Sequence, residues 1–266
     1  MNEAKKIFKK SSKTYYNAAI LFPKEISKDV QIIYGFVRKA DNFADNIPSD
    51  AKGLKEFEKE FEKCLKTSKS KDEIVQDFCD LYKAKKFQKK WVEAFFSSMK
   101  QDLKNPKMKT YKETKKYIYG SAEVIGLMMA KTIGVKKEGF PYAKKLGEAM
   151  QLINMIRDVD EDNKLGRQYL PINEMKGFEL SPEYANTKPF KKYIKKQLER
   201  YKKSQKEAQK GYKYIPKNCL PAIKTAADMY KWTAKQIEKN PSIIFQKKVK
   251  PSKTRVILTG IKNKLL

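Results

Sequence analysis

Apolar residues in this chain recur every three to four positions over almost its whole length, and nowhere do they alternate through a stretch rich in β-branched residues. That period fits the 3.6 residues of a helical turn, not the period of two that a half-buried strand needs. It predicts helices over 3–21, 27–46, 52–67, 72–84, 88–103, 111–134, 139–164, 190–211 and 218–239, with a shorter one after Pro251. Glycines and prolines, 11 of each, fall mostly between these segments, where they end helices rather than interrupt them. The longest irregular stretch is 165–189, with Pro171, Gly177, Pro182 and Pro189. No fixed-period repeat and no linker rich in glycine, serine or proline divides the chain, so residues 1–266 read as one all-α domain.

Composition narrows the chemistry. Hydrophobic residues at 40% and aromatics at 12% are too many for a disordered chain, despite 34% charged residues. Histidine is absent, which excludes imidazole bases, Ser-His-Asp triads, HExxH zinc sites and histidine-bearing zinc fingers. Cys64, Cys79 and Cys219 are scattered, so neither a zinc cluster nor a disulfide framework is expected, and a reducing cytoplasm is the natural setting. No run approaches the roughly 18–20 apolar residues of a membrane span. The best candidate, 124–135, is broken by Lys131, and the N-terminus lacks a signal-peptide core. A soluble or peripheral protein is expected.

The formal net charge is +29, and only five basic residues are arginine: Arg38, Arg157, Arg167, Arg200 and Arg255. Lysines spread along the chain read first as a solvated surface, and no gathered patch argues for nucleic acid. An anionic substrate or membrane surface would profit from the same field. Arginines in a lysine-biased chain mark places that want a planar, multi-donor fork.

Helical spacing places Val30, Tyr34, Val37, Arg38, Asp41 and Asp45 along one side of the second predicted helix. Two carboxylates four residues apart repel by about 0.2–0.5 kcal/mol on an exposed helix and by more when desolvated. Arg38 is an ordinary partner to offset them. Further on, Met150, Asn154, Asp158 and Asp162 form one row with Gln151 beside it, on a helix otherwise apolar nearly all round. Burying such a row costs several kcal/mol unless it lines a polar cavity or binds cations.

Together the two helices offer hard oxygen ligands without imidazole or thiolate, a set that suits Mg²⁺ or Mn²⁺ bridged to substrate phosphates. Asp41, Asp45, Asn154, Asp158 and Asp162 are the candidate ligands. Arg38, Arg157 and Arg167, with nearby lysines, are candidates for the remaining phosphate oxygens. A di-iron bundle would want Glu-x-x-His, and the chain has no histidine.

Small residues Gly120, Ser121, Ala122, Gly126, Ala130 and Gly134 interrupt a third, apolar helix. They serve either close helix packing or room for a long apolar ligand. In the second case Tyr117, Ser121, Val124, Ile125 and Met128 would line a tunnel. Tyr15, Tyr34 and Tyr230 would add aromatic faces able to stabilise a carbocation, although tyrosines at helical spacing also serve as ordinary core.

At YGSAEVIGLMMAK and LGEAMQLINMIRDVDEDNKLGRQYLP the sequence resembles the squalene and phytoene synthase family of head-to-head prenyl transferases, a likeness running from Ser11 to Phe245. The resemblance implies an isoprenoid synthase helical bundle around a central cavity, with aspartate motifs at Asp41–Asp45 and Asp158–Asp162. This chain has Asn42 where many phytoene synthases have a further aspartate, and Asp160 where the family usually has glycine. Residues matching Ser12, Tyr34, Arg38, Tyr117, Gln151, Asn154 and Tyr230 line substrate sites in relatives, and Lys164 and Arg167 are candidates to close over diphosphate.

The implied reaction is Mg-dependent. One prenyl diphosphate ionises, the double bond of a second attacks, and a cyclopropyl diphosphate ionises again. Phytoene formation ends by losing a proton without NADPH; squalene formation takes a hydride from it. Ala19 stands where relatives making thirty-carbon products can carry an aromatic, which favours two geranylgeranyl diphosphates and the phytoene synthase type, in carotenoid biosynthesis. Squalene or dehydrosqualene synthesis from farnesyl diphosphate is the alternative. The implied anchor of eukaryotic squalene synthases is not matched, and a monomer or weak dimer is expected.

A basic helical module binding nucleic acid or membrane is the reading from a different class. The basic, partly amphipathic tail QKKVKPSKTRVILTGIKNKLL keeps peripheral membrane contact open. Asp41→Asn and Asp158→Asn separate the classes. The expected outcome is loss of prenyl transfer on the order of a hundredfold or more, measured by product formation; a charge-driven binder would keep or gain affinity, and full turnover in both variants contradicts the site.

Overall fold

The computed structural model describes residues 3–11 and 13–265, with the side chains of residues 10, 11 and 13–15 outside the described set. In chain order the helices are α1 (Glu3–Ser11), α2 (Lys13–Ala19), α3 (Lys24–Asp45), α4 (Ala51–Thr67), α5 (Glu73–Ala84), α6 (Lys89–Asp102), α7 (Tyr111–Ile118), α8 (Val124–Thr132), α9 (Phe140–Arg157), α10 (Val159–Lys164), α11 (Lys188–Gln209), α12 (Leu220–Lys239), α13 (Ile243–Gln246) and α14 (Lys253–Leu265). Among the described residues there is no strand, only an isolated bridge between Lys107 and Gln168. No described helix is long and apolar enough to cross a membrane.

Helix starts follow local chemistry. Asp50, Asp72, Thr110 and Thr187 cap α4, α5, α7 and α11 by accepting backbone N–H groups of the first turn. Pro141, Pro189 and Pro221 stand in the first turns of α9, α11 and α12, where a missing N–H costs nothing.

Three expected helices are refined. The helix over 3–21 is two, α1 and α2, and Ser12 between them lies outside the described residues. The helix over 111–134 runs through a π-helical turn, Tyr119–Glu123. The helix over 139–164 breaks at Asp158, whose φ of −99° and ψ of 13° are not helical. Adjacent side chains on a regular helix do not face each other, and the break accompanies a direct fork between Arg157 and Asp158. The short α13 was not expected from the pattern.

Three apolar clusters result. One joins α3 to α6 and α8 around Phe36, which stacks on Phe78 at 3.8 Å and meets Phe57, Phe61, Phe95 and Phe96. A second joins α7, α9, α11 and α12 through Leu152, Ile156, Phe190, Ile194 and Ile237. The third gathers Phe8, Ala19, Phe22, Val30, Ile133, Cys219 and Ala222. Each fully buried large side chain contributes about 1.5–3 kcal/mol, so these clusters fix α3, α8, α9 and α12 rigidly around the space between them.

The stripe of small residues packs helices closely, and part of it lines a cavity. A Cβ on Gly120 would lie 2.2 Å from the carbonyl oxygen of Ala94, and one on Gly147 of α9 would lie 2.5 Å from that of Ala122. Bare backbone is what lets α6 and α9 approach this segment. Ser121, Ala122, Gly126 and Ala130 then present little bulk to the cavity.

Candidate active site

α3 brings its carboxylates to the cavity with their counter-ion. Arg38 Nη1 donates to Asp41 Oδ2 at 3.2 Å and to Asp45 Oδ2 at 3.4 Å. Arg167, 5% exposed, reaches from the loop after α10 and donates Nη1 to Asp45 Oδ1 at 2.8 Å and Nη2 to the Ala44 carbonyl at 2.6 Å. The second motif faces the first across the cavity. Arg157 grips Asp158 through Nε to Oδ1 at 2.8 Å and Nη2 to Oδ2 at 2.5 Å. Lys248 Nζ lies 3.2 Å from Asp158 Oδ1 and also bonds Glu161. Among the described residues Asp162 has no cation within ion-pair distance.

The carboxylates feel this unequal compensation. Burial, then the charge of Asp158, pushes Asp162 up to about 8. Burial, then Asp45, pushes Asp41 up to about 6 against the pull of Arg38. Burial also acts on Asp158, but the Arg157 fork and Lys248 outweigh it and hold the group below the usual carboxylate value.

The cavity has a volume of about 940 Å³. Along α3 it extends from Asp45 to Val30, about 22 Å at 1.5 Å per residue. Its far end is lined by Phe8, Ala18, Ala19, Phe22 and Ile133, all apolar. One vessel therefore has a charged mouth and a long greasy floor.

Of the expected site residues, Ala19, Tyr34, Arg38, Asp41, Asp45, Tyr117, Ser121, Ile125, Gln151, Asn154, Arg157, Asp158, Asp162, Arg167 and Tyr230 all line this cavity. Ser12 and the side chain of Tyr15 lie outside the described residues. Val124 and Met128 do not line it; they are buried in the phenylalanine cluster. The π-helical turn is the reason: its extra residue moves the cavity face onto Tyr117, Ser121, Ile125 and Met129. Lys164 does not line the cavity either. Its side chain is 72% exposed and pairs with Asp160 at 2.6 Å, four residues back on the same short helix.

Two features escaped the sequence reading. Asp102, 4% exposed, lines the cavity and accepts from Tyr117 Oη at 2.9 Å and Tyr169 Oη at 2.6 Å. Burial pushes its carboxyl up to about 7, against the hydrogen bond from Tyr169. The signal was present, since Trp91, Phe95, Ser98 and Asp102 share one face of α6. Lys248 and Lys250, which also line the mouth, carried no signal in a chain so rich in lysine. Burial and the neighbouring Lys248 and Arg157 charges hold the Lys250 ammonium below its usual value.

The donor set fits a divalent cation. Asn154 Oδ1 is buried without a hydrogen-bond partner, and among the described residues Asp162 has no cation within ion-pair distance. Among the described residues no three carboxylate or thiol side chains cage an ion by themselves. An ion bound between Asp41, Asp45, Asn154, Asp158 and Asp162 would therefore take further ligands from water or a substrate phosphate, as Mg²⁺ does. Arg38 Nε and Arg167 Nε are buried without acceptors as well, donors suited to an incoming anion.

The raised values fix a pH dependence. Folded values of about 6, 7 and 8 for Asp41, Asp102 and Asp162 stand above the unfolded value of about 3.9. The folded state then holds protons that the unfolded chain has released. Their stabilising contribution is complete at low pH and is lost as pH rises through the folded values. In thermal melts without divalent ions, Tm falls from pH 5.5 to 8.5, Asp162→Asn removes most of the fall above pH 7, and Mg²⁺ restores part of it. A flat or rising Tm over that window contradicts the assignment.

Comparison with known proteins follows the same lines. The family model described as squalene/phytoene synthase matches residues 8–255. The chloroplastic phytoene synthase of Daucus carota is 27% identical over 262 residues, covering 93% of this chain and 66% of that protein. Chloroplastic phytoene synthase 1 of Zea mays is 25% identical over 261 residues, covering 93% and 63% respectively. The chain thus spans slightly under two thirds of the length of these curated relatives. Among solved structures, a dehydrosqualene synthase in complex with a ligand superposes with a TM-score of 0.90 at 24% identity, covering 98% of this chain and 94% of that one.

Proposed function

We propose that this chain, which belongs to the squalene/phytoene synthase family and has its helical isoprenoid synthase fold, joins two geranylgeranyl diphosphates head to head to give phytoene. Residues 1–266 act in this reading as one catalytic domain, a cytoplasmic monomer or weak dimer. Asp41, Asp45, Asn154, Asp158 and Asp162 would hold a divalent ion, which when bound would supply Lewis-acid charge to the departing diphosphate. Arg38, Arg157, Arg167 and Lys248 stand ready around the same mouth to take phosphate oxygens.

The first donor ionises at this mouth, with its chain laid along the apolar floor. Tyr34, Tyr117 and Tyr230 line the cavity and offer π faces to the allylic cation. Asp102 fixes the Tyr117 hydroxyl and thereby its ring. The apolar wall keeps water from quenching the cation. Attack by the double bond of the second substrate, with loss of a proton as the three-membered ring closes, gives a cyclopropyl diphosphate. A second departure of diphosphate at the same mouth, rearrangement and loss of a proton complete phytoene.

The choice of the twenty-carbon donor rests on one observation: Ala19 is buried at the apolar end of the cavity, where its small side chain leaves the floor open. The relatives named as phytoene synthases and the neighbour named as a dehydrosqualene synthase support the family and leave the choice of donor to Ala19. The alternative is farnesyl diphosphate condensing to squalene or dehydrosqualene.

Mass analysis of products from geranylgeranyl diphosphate and Mg²⁺, without NADPH, tests the reading. The expected product is a forty-carbon hydrocarbon, and Ala19→Phe lowers its formation roughly tenfold or more relative to thirty-carbon product from farnesyl diphosphate. Thirty-carbon product alone from the unaltered chain would move the assignment to the alternative, with its NADPH requirement separating squalene from dehydrosqualene.

A further inference from the structure

α14 is amphipathic in an inverted sense. Its buried row is small and partly polar: Val256, Gly260 and Asn263. A Cβ on Gly260 would lie 2.9 Å from Leu21 Cδ1, and Asn263 Nδ2 donates to Thr225 Oγ1 at 3.2 Å and Asp228 Oδ2 at 3.0 Å. These contacts seat the helix on α12 and on the end of α2. The orientation is therefore fixed, and with it the outward face.

That outward face is greasy. Leu258 is 62% and Leu265 83% exposed, with Ile257 and Ile261 half exposed. At about 100° per residue these four side chains centre opposite the buried row. Lys253 and Lys264 fall on one flank of the stripe, and Arg255 and Lys262 on the other. All four cations are exposed. Ile20, 62% exposed, follows directly after α2, the helix against which α14 packs. From Gln246 to the last residue the sequence contains no acidic side chain.

We propose that this face of α14, with Ile20, docks on the surface of a bilayer bearing anionic headgroups. The pattern fits that occupant in both its parts. The apolar stripe has the depth of single side chains, suited to the headgroup boundary and not to spanning. The flanking lysines have long stems that reach up from an apolar layer to phosphate, while Arg255, over the Trp232 ring at 5.1 Å, adds positive charge beside them. A second copy of this chain would instead bring like-charged flanks together on molecules of net charge +29. The docked face also lies beside the cavity's apolar end, since buried Ala19 lines the cavity and exposed Ile20 is the next residue. The proposal rests on the helix face, not on which prenyl diphosphate is used.

Co-sedimentation with phosphatidylcholine vesicles, with and without phosphatidylglycerol, tests it at low and high salt. The unaltered protein binds the anionic vesicles and keeps part of that binding in high salt, because apolar insertion is not screened. Leu258→Glu/Ile261→Glu, at exposed positions that leave Tm unchanged, lowers partitioning at least tenfold. Lys59→Gln/Lys66→Gln on the exposed side of α4 makes the same change in net charge and leaves partitioning within twofold. Equal loss in both double variants, or no loss in the first, overturns the proposal in favour of plain charge attraction. Concentration-dependent dimers that vanish in the first variant overturn it in favour of a self-interface.

Discussion

Four carboxylates held around one half-buried mouth repel each other, and the site is organised around offsetting that repulsion. Arg38 bridges the two on α3, Arg167 ties Asp45 to the loop after α10, and Arg157 with Lys248 holds Asp158. Among the described residues Asp162 has no cation within ion-pair distance, and burial, then the charge of Asp158, raises its value. A divalent ion and a diphosphate together would complete the balance, the ion meeting Asp162 and its carboxylate neighbours and the anion meeting the buried Nε donors of Arg38 and Arg167. Protein charge alone leaves the mouth strained in both directions.

The apolar half of the molecule answers to the same site. Bare glycine backbone brings α9 against α8 and the π-helical turn, so Gln151 and Asn154 of α9, and Asp158 just past its end, reach the cavity instead of the surface. The turn rotates Val124 and Met128 into the phenylalanine cluster and hands the wall to Ile125 and Met129. A single extra residue in one helical turn therefore selects which side chains meet substrate. Asp102 adds a buried polar clamp where an apolar residue would otherwise sit, holding two tyrosines at once.

Sequence pattern alone exposed most of this. Helical periodicity located the main helices, because a dominant 3.6 period leaves little choice of class. The two aspartate rows were visible because charge on an apolar face is costly without a purpose. What stayed hidden depends on geometry that pattern does not encode. The π-helical turn shifts register without a local signature. Lys164 pairs along its own helix with Asp160, whereas Lys248 arrives at the mouth from 84 positions further on by tertiary folding. No spacing rule distinguishes those two lysines in a chain that uses the residue everywhere.

Calorimetric titration with a non-ionising thio-analogue of geranylgeranyl diphosphate measures the central claim most directly. With Mg²⁺ present the account predicts two analogues bound per chain, with binding weakened at least tenfold when the ion is chelated and likewise by Asp158→Asn. Binding that is indifferent both to the ion and to Asp158 would contradict a shared carboxylate–cation–diphosphate mouth.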